Sequence, residues 1–273
     1  MAASLDQIVA ATRRRVAEAK RSANLQRLHQ QADLHVPRGF RRALEVRSKS
    51  GPAIIAELKK ASPSRGLIRA DFNPEGLAAD LETAGAAALS VLTDGEFFQG
   101  SLDNLGRASA VTQVPCLQKD FIVDEFQLLQ ARASGADAIL LIAAVLSQPE
   151  LLALTKQSRI LGLDVLCEAH NEDELHRAVD AGSDVIGVNN RDLRTFKVNL
   201  DTALRLAKMI PGNVISVAES GIDSGADIVR LRSAGYKAFL VGESLMKAES
   251  PGRALKDLLV EADRERSALS VKD

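Results

Sequence analysis

The segment "RASGADAILLIAA", residues 132–144, points directly to a parallel-sheet architecture. It has the end of a helical pattern, a Gly, two small or polar residues and then a short apolar run. A Gly suits the position that ends a helix, because it tolerates the left-handed backbone conformation found there. The apolar run is too short for a helix and is typical of a strand buried on both faces. The segment therefore predicts a junction from a helix into a parallel strand.

The same junction recurs in three other segments, "ETAGAAALSVLT" (82–93), "VDAGSDVIGVNN" (179–190) and "RSAGYKAFLVGE" (232–243). Together with the other short apolar runs they form a series of candidate strands with helical patterns between them. The candidate strands are 53–59, 87–92, 115–119, 138–143, 164–168, 184–189, 214–219 and 238–242. Strands that alternate with helices imply a parallel sheet, and eight such units match the closure of a (β/α)8 TIM barrel. A doubly wound open sheet is the alternative, although it would not require eight units.

The first fifty residues precede this series and predict a helical extension. The segment 4–21 is a helical pattern with Ser4 and Gln7 in capping-box positions, and 39–46 predicts a second, shorter helix. Residues 1–50 contain too few apolar side chains for a core of their own. We therefore expect residues 1–50 to pack on the bottom or flank of a single catalytic barrel domain, residues 51–273.

Composition excludes several classes of function. The chain has 273 residues and a net charge of −1, so no global field attracts nucleic acid or a membrane surface. Its two cysteines and four histidines show neither a disulfide framework nor the spacing of metal ligands. No stretch is apolar and long enough for a bilayer span or a secretory signal. We expect no nucleic-acid or membrane partner, no metal, and a cytoplasmic location.

Charged residues follow the apolar runs at their C-terminal ends. In "AIIAELKKASPSRG" (53–66), Glu57 and Lys59 share the strand face of Ile55, which is the face expected to point into the barrel. The same parity brings further polar side chains to the ends of later strands: Lys119, Glu168, Asn189 with Arg191, and Glu219 with Ser220. Any one of them could be an ordinary surface charge. Because burying mixed charges costs several kcal/mol per ion unless they are paired, five strands with one parity instead indicate an active site.

The last two candidate strands end in small, Gly-containing segments, "ESGI" (219–222) and "VGESLM" (241–246). Gly221 and Gly242 would let backbone N–H groups approach an anion, and a short helix beginning near Glu243 would direct its positive end the same way. Loops after strands 7 and 8 are the usual phosphate site of a barrel, although each segment could also be only a tight turn. Ser62, after the first strand, could add a hydroxyl group from across the mouth.

These residues closely resemble the indole-3-glycerol phosphate synthase family of tryptophan biosynthesis. The resemblance covers nearly the whole chain, through "AELKKASPSRG", "LQKDFIVDEFQL", "GADAILLI", "CEAHNEDEL", "GVNNRDL", "VAESGI" and "VGESLM", in that order. It implies a decarboxylating ring closure and dehydration of 1-(2-carboxyphenylamino)-1-deoxyribulose 5-phosphate to indole-3-glycerol phosphate. It also implies that neither a metal nor an organic cofactor is used.

The resemblance further implies roles for individual residues. Lys119 would be the general acid at the ribulose carbonyl, and Glu168 the general base of the dehydration. Lys59 would hold the substrate carboxylate and act as an acid in the dehydration, Glu57 would orient the lysines and contact the sugar hydroxyls, and Asn189 would position Glu168 and the substrate. The remaining positions match supporting, phosphate or sugar contacts: Arg191, Glu219, Ser62, Ser220, Gly221, Gly242 and Glu243.

Other residues receive more modest interpretations. Phe121 is the best candidate for an apolar wall beside the anthranilate ring, and the long loop from Lys60 to Asn73 predicts a mobile lid. Cys116 and Cys167 read as helix-facing core, and His170 as a loop residue. Arg13, Arg14 and Arg15 read as a solvated helix face.

Two rival functions remain from the sequence alone. One is another sugar-phosphate barrel, such as phosphoribosylanthranilate isomerase, whose Cys–Asp acid/base pair is replaced here by Glu57 and Lys59 at the first strand. The other is a non-catalytic barrel that senses phosphorylated ligands. The expected partner is a small phosphorylated substrate, and other tryptophan-pathway enzymes are a candidate class of protein partner.

Overall fold

The computed structural model describes residues 4–192 and 195–270, and within them eight parallel strands close a barrel. The strands are β1 (Ala53–Leu58), β2 (Ala88–Leu92), β3 (Cys116–Lys119), β4 (Ala138–Ile142), β5 (Asp164–Ala169), β6 (Val185–Asn189), β7 (Ile215–Glu219) and β8 (Ala238–Val241). Closure is complete because β1 pairs in parallel with both β2 and β8. The predicted (β/α)8 barrel is confirmed, and the open doubly wound sheet is wrong.

Helices precede and connect the strands. They are α1 (Leu5–Ser22), α2 (Leu25–Leu34), α3 (Phe40–Ser50), α4 (Pro74–Thr83), α5 (Gly95–Phe98), α6 (Leu102–Ala110), α7 (Glu125–Ala133), α8 (Gln148–Ile160), α9 (Glu172–Asp180), α10 (Asp201–Leu206), α11 (Gly225–Ser233), α12 (Glu243–Lys247) and α13 (Pro251–Ser270). A 3-10 turn follows α10 at Ala207–Met209, and a small hairpin pairs Ala61–Ser62 with Gly66–Leu67 after β1. Among the described helices, none has the length and apolar character needed to cross a membrane.

Alternation along the strands separates two layers of apolar packing, as the sequence predicts. Ile55, Leu117 and Val217 belong to a buried cluster inside the barrel. Ile54, Cys116 and Cys167 belong to the larger cluster between the strands and the surrounding helices. The inward parity therefore carries each strand from apolar core at its start to polar side chains at its C-terminal end.

The N-terminal segment contains three helices rather than the predicted two, because α2 was not recognised. Helix α3 closes the bottom of the barrel, where the fully buried Phe40 and Leu44 join the interior cluster. Helix α1 reaches the opposite end, since Leu5 and Ile8 line the cavity at the mouth. The extension thus contacts both ends of the barrel.

The predicted capping box of Ser4 and Gln7 is confirmed at the start of α1. Asn171 caps α9, and its side chain accepts the Glu174 N–H, while Ser147 and Glu150 form a capping box at α8. Ser224 and Asp227 form another at α11. A short helix does begin at Glu243, as the sequence predicts.

Candidate active site

A cavity of about 710 Å³ lies at the C-terminal mouth of the barrel. It collects the side chains that end the strands together with the loops that follow them. Every residue that the sequence singled out as a site residue lines this cavity: Glu57, Lys59, Ser62, Lys119, Phe121, Glu168, Asn189, Arg191, Glu219, Ser220, Gly221, Gly242 and Glu243. The structure therefore brings together groups that are up to 186 residues apart in the chain (57 to 243).

Lys119 stands between two buried carboxylates. Its Nζ donates to Glu219 Oε2 at 2.6 Å and to Glu168 Oε2 at 3.1 Å. Only 12% of the Lys119 side chain is exposed, and the two carboxylates are almost fully buried. The cluster therefore holds two acidic groups against one ammonium group in a space that excludes most water.

This arrangement separates the pKa values of the three groups. Burial would lower the pKa of Lys119, but the charges of Glu219, Glu168 and Glu57 raise it, so the ammonium form is favoured. Burial acts to raise the pKa of Glu168, yet the charge of Lys119 and the neighbouring His170 hold it below its usual value. The pKa of Glu219 is raised by burial and by the charge of Glu168. Glu168 is thus the more acidic of the two carboxyl groups.

Two glycines make room for the acidic side chains. A Cβ added at Gly187, on β6, would stand 2.1 Å from Glu219 Oε1. A Cβ added at Gly242 would stand 2.5 Å from Glu57 Oε1. Because such distances are far below van der Waals contact, any side chain at either position would displace a carboxylate. Gly187 within β6 and Gly242 directly after β8 are therefore part of the site's construction.

Glu57 and Lys59 form the second ion pair of the mouth, with Lys59 Nζ donating to Glu57 Oε1. Asn189, which was expected to position Glu168 and the substrate, lines the cavity, and its Oδ1 accepts the backbone N–H of Arg191 at 3.0 Å. Arg191 in turn donates to the Phe196 carbonyl oxygen. The side chain of Asn189 therefore fixes the turn after β6, while Glu168 contacts Lys119 and His170.

One end of the cavity is rich in cations around a single carboxylate. Glu243 contacts Arg65 at 3.0 Å, Lys247 at 2.6 Å and Arg191 at 3.5 Å. The backbone beside them is unusual, since Ser220 and Gly221 both have positive φ values, 65° and 74°. A positive φ is uncommon for a residue with a side chain and is found preferentially at functional sites. This end can accept an anion.

The opposite end of the cavity is apolar. Phe121 and Phe98 lie with ring centroids 6.3 Å apart, and Leu140 and Ile142 also line the cavity at the mouth of the barrel. Such a wall can take a planar aromatic ring. Phe121 therefore lies in a part of the cavity that could form the predicted apolar wall. The sequence did not single out Phe98 for this wall.

Sequence reasoning missed several residues of the site. Lys247 could have been found from its spacing, because it lies four residues after Glu243 on one helix. Arg65 lies in the predicted lid loop and had no signal beyond its charge. Leu5 and Ile8 looked like the apolar face of an ordinary amphipathic helix.

One interpretation from the sequence was incomplete and another was wrong. His170 does lie in the loop after β5, but it is largely buried there, with contacts to Glu168 and Glu174. Arg15 does not belong to a solvated face, because its guanidinium contacts the buried Asp94 at 2.9 Å and Asp120 at 3.6 Å. Both errors arise because a sequence gives the face of an element and not its neighbours.

Comparison with known proteins gives a family. The family model of indole-3-glycerol phosphate synthase matches residues 5–258. The chain belongs to the indole-3-glycerol phosphate synthase family. A family member from Koribacter versatilis (strain Ellin345) is 56% identical over 259 residues, which cover 95% of this chain and 100% of that relative. Another, from Burkholderia vietnamiensis (strain G4 / LMG 22486), is 48% identical over 92% of this chain and 97% of its own length.

Membership confirms the family predicted from the sequence motifs and makes the chain a decarboxylating lyase of tryptophan biosynthesis. Its substrate class is a small phosphorylated molecule. Among solved structures, thiamine phosphate pyrophosphorylase from Pyrococcus furiosus matches with a TM-score of 0.59 and 16% identity, over 80% of this chain and 98% of that one. At this identity the likeness shows the barrel fold alone.

Proposed function

We propose that the mouth cavity closes the indole ring by acid–base catalysis, with Lys119 as the general acid and Glu168 as the general base. The observation that supports this most strongly is the buried contact of Lys119 with two carboxylates, at 2.6 and 3.1 Å. Their opposed pKa shifts keep a proton on the amine and favour a negative charge on Glu168. A cavity thus offers a proton donor and a proton acceptor side by side.

In the first step the aromatic carbon that bears the carboxylate attacks the ribulose carbonyl carbon. Lys119 donates its proton to the carbonyl oxygen, so that no alkoxide forms in the buried site. Loss of carbon dioxide then leaves its bonding electrons to the ring and restores conjugation. A positioned acid of this kind contributes roughly a hundredfold to ten-thousandfold in rate.

In the second step Glu168 removes a proton from the adjacent carbon while the hydroxyl group leaves as water. Lys59 is the ammonium group placed to supply the proton for that water, and its pairing with Glu57 holds it at the mouth. Lys59 also provides a cation for the substrate carboxylate before decarboxylation. Glu219 shares Lys119 with Glu168 and so keeps the amine protonated and in place.

Binding at both ends of the substrate would bring the reacting carbons together. The cations Arg65, Arg191 and Lys247, with the turn at Ser220 and Gly221, would hold the phosphate. The apolar wall with Phe121 would hold the anthranilate ring, and Ser62 lies in the loop facing the phosphate end. Anchoring a flexible molecule at two ends turns an unfavourable encounter into a positioned reaction.

The direct experiment measures formation of indole-3-glycerol phosphate by fluorescence, with the wild type, Lys119→Ala and the exposed-lysine control Lys208→Ala. We expect Lys119→Ala to lose about 10²-fold to 10⁴-fold in kcat, while Lys208→Ala matches the wild type. Circular dichroism and binding of inorganic phosphate show whether each variant is folded. A folded Lys119→Ala with wild-type rates would contradict the assigned acid. Phosphate binding by a wild type that forms no product would favour the sensor.

We also propose a domain organisation, a cellular location and a class of protein partner, each of which follows from the sequence. Residues 1–50 act as an extension of one catalytic domain, 51–273. The enzyme works in the cytoplasm. It can associate with other tryptophan-pathway enzymes, which co-purification from cells expressing those enzymes would test.

A further inference from the structure

His170 stands between two carboxylates at the edge of the site. Its Nδ1 lies 2.9 Å from Glu174 Oε2, and its Nε2 lies 3.3 Å from Glu168 Oε1. Only 12% of the His170 side chain is exposed, and its buried Nε2 makes no hydrogen bond, so that its approach to Glu168 is an ion-pair contact. The histidine therefore contacts the oxygen of Glu168 that Lys119 does not use, because Lys119 contacts Oε2.

The surroundings fix the protonation of this imidazole. Glu174 Oε2 also accepts the backbone N–H of His170 at 2.8 Å, and its Oε1 accepts from Asn171 at 2.7 Å, so Glu174 is an acceptor held in place. The Nδ1 atom must then donate to Glu174. A neutral ring would direct the lone pair of Nε2 at the Glu168 carboxylate, whereas the charged ring donates Nδ1–H to Glu174 and presents Nε2–H to the negative charge of Glu168. Although burial opposes the charge, the contacts with Glu168 and Glu174 raise the pKa of His170 to about 10.

We propose that His170 is a positioning residue that holds Glu168 ionised and oriented for its role as the base. This inference rests on the proposed function and adds a residue to it. The positive charge of the imidazolium faces Oε1, while Oε2 remains directed at Lys119. His170 acts through Glu168, since it is not among the described residues that line the cavity.

The need for a second cation follows from the charges around Glu168. Lys119 from β3 is shared with Glu219 from β7, and Glu57 from β1 also acts on Lys119. One ammonium group could stabilise the charge on either Glu168 or Glu219. His170 contacts only Glu168 of this pair, and Glu174 from α9 holds it there. The histidine thereby assigns the negative charge to Glu168 and leaves Glu219 as the group with the raised pKa.

Two isosteric substitutions separate orientation from charge. In His170→Asn the amide nitrogen can replace Nδ1 but cannot reach Glu168. In His170→Gln the amide nitrogen can replace Nε2 as a donor to Glu168 but carries no charge. The matched control is His176→Asn, on the exposed face of α9, the helix that follows His170.

We expect His170→Asn to lower kcat by about 10-fold to 100-fold, with little change in KM. The acid limb of its kcat–pH profile should move to higher pH by about one to three units, because Glu168 loses an opposite charge. His170→Gln should recover part of the kcat but keep the shifted limb. A profile and kcat equal to those of the wild type in both variants would overturn the inference.

A readout without turnover keeps this test separate from the test of the synthase activity. In the wild type, NMR titration of the His170 ring should show the charged form beyond pH 8, well above the ordinary histidine value of about 6.5. Glu168→Gln should lower the pKa of His170. A His170 that titrates near 6.5 would overturn the inference even if the enzyme is fully active, and a charged His170 in an inactive wild type would indicate that only the proposed function fails.

Discussion

At the scale of single residues, a glycine controls the electrostatics of this site, because its missing side chain leaves room for a carboxylate close to Lys119. Gly187 has no side chain, and Glu219 Oε1 occupies the volume that a Cβ would need. Glu219 can therefore lie close enough to share Lys119 with Glu168. The chemistry of the lysine thus depends on a glycine that contacts no substrate.

We predict that Gly187→Ala lowers both activity and stability. The new methyl group must displace the Glu219 carboxylate, which loosens Lys119, so kcat should fall by about 10-fold or more. Overpacking of this kind costs typically about 1–3 kcal/mol of unfolding free energy. Steady-state kinetics and urea unfolding measure the two effects. The control is Gly212→Ala, where nothing lies within 4 Å of an added Cβ. A Gly187→Ala enzyme that behaves like this control would contradict the role of the gap.

At the scale of elements, the helix α1 connects the N-terminal extension to the catalytic end. Arg15 contacts Asp94, which caps α5, and Asp120, which directly follows the Lys119 strand. Asp120 also accepts the Thr93 hydroxyl group and the Phe121 N–H. One arginine therefore connects α1 with the two loops that follow β2 and β3 at the cavity.

We predict that Arg15→Met destabilises the protein by about 1–3 kcal/mol at pH 7, because a buried charged partner is left unpaired. Burial and the charge of Asp94 already raise the pKa of Asp120, and losing Arg15 should raise it further. A carboxyl group with a raised folded-state pKa binds protons on folding, so stability falls as pH rises through that pKa. The deficit should accordingly be larger at pH 7 than at pH 4. Urea unfolding at both values measures it, with the exposed Arg14→Met as control. A deficit that grows towards low pH would contradict this account.

The loop after β1 is the other element with a testable role. Its hairpin brings Arg65 to Glu243 at 3.0 Å, while Arg69 donates to the Ala248 carbonyl oxygen at 2.9 Å. The Arg65 side chain is 56% exposed, and its ion pair is of the surface kind that contributes little. Arg69 is instead tied to the end of α12. The two arginines should therefore differ in access to a protease.

We predict that trypsin cleaves the folded enzyme after Arg65 and not after Arg69. Inorganic phosphate should slow the first cleavage, because an anion among the cations holds the loop against the mouth. Mass spectrometry of timed digests identifies both sites, and Glu243→Gln, which weakens the Arg65 contact, should speed cleavage after Arg65. Equal cleavage at the two arginines, with and without phosphate, would count against a lid.

At the scale of the whole molecule, sequence patterns predicted the features that depend on a single helix or strand. They failed for contacts between elements that are distant in the chain. The Gly junctions located the strands, and strand parity predicted which side chains reach the mouth, such as Lys119 and Glu168. Parity could not show that His170 turns back towards Glu168, nor that α1 crosses to the mouth with Arg15. Those features depend on distances between elements that are far apart in the chain, and α2 was missed for the same reason, because it forms largely through packing on α7.

We expect residues at the N-terminal end of the barrel to affect mainly stability, and residues at the C-terminal mouth to affect mainly activity. At the N-terminal end, the fully buried Asp137 accepts hydrogen bonds from the Arg38 backbone at 2.6 Å, from the Arg38 guanidinium and from the Cys116 backbone at 2.6 Å. These bonds fasten the segment before α3 to the strands. The cavity and its ion pairs lie at the opposite end.

We predict that Asp137→Asn lowers the free energy of unfolding by about 3–5 kcal/mol at pH 7, because it breaks a buried ion pair, and leaves kcat/KM within about twofold of the wild type. In Tm this is a decrease of about 6–12 °C.

Burial acts to raise the pKa of Asp137, but hydrogen bonds from His35 and Arg38 hold it below its usual value. A carboxylate with a lowered folded-state pKa contributes stability that is complete above its unfolded pKa of about 3.9 and is lost as pH falls through the folded value. The difference between wild type and variant should therefore be full at pH 7 and shrink below about pH 4. Calorimetry across this range and parallel kinetics measure both quantities, with the exposed Asp33→Asn as control. A loss of kcat/KM that matches the loss of stability would show instead that the two ends of the barrel are coupled.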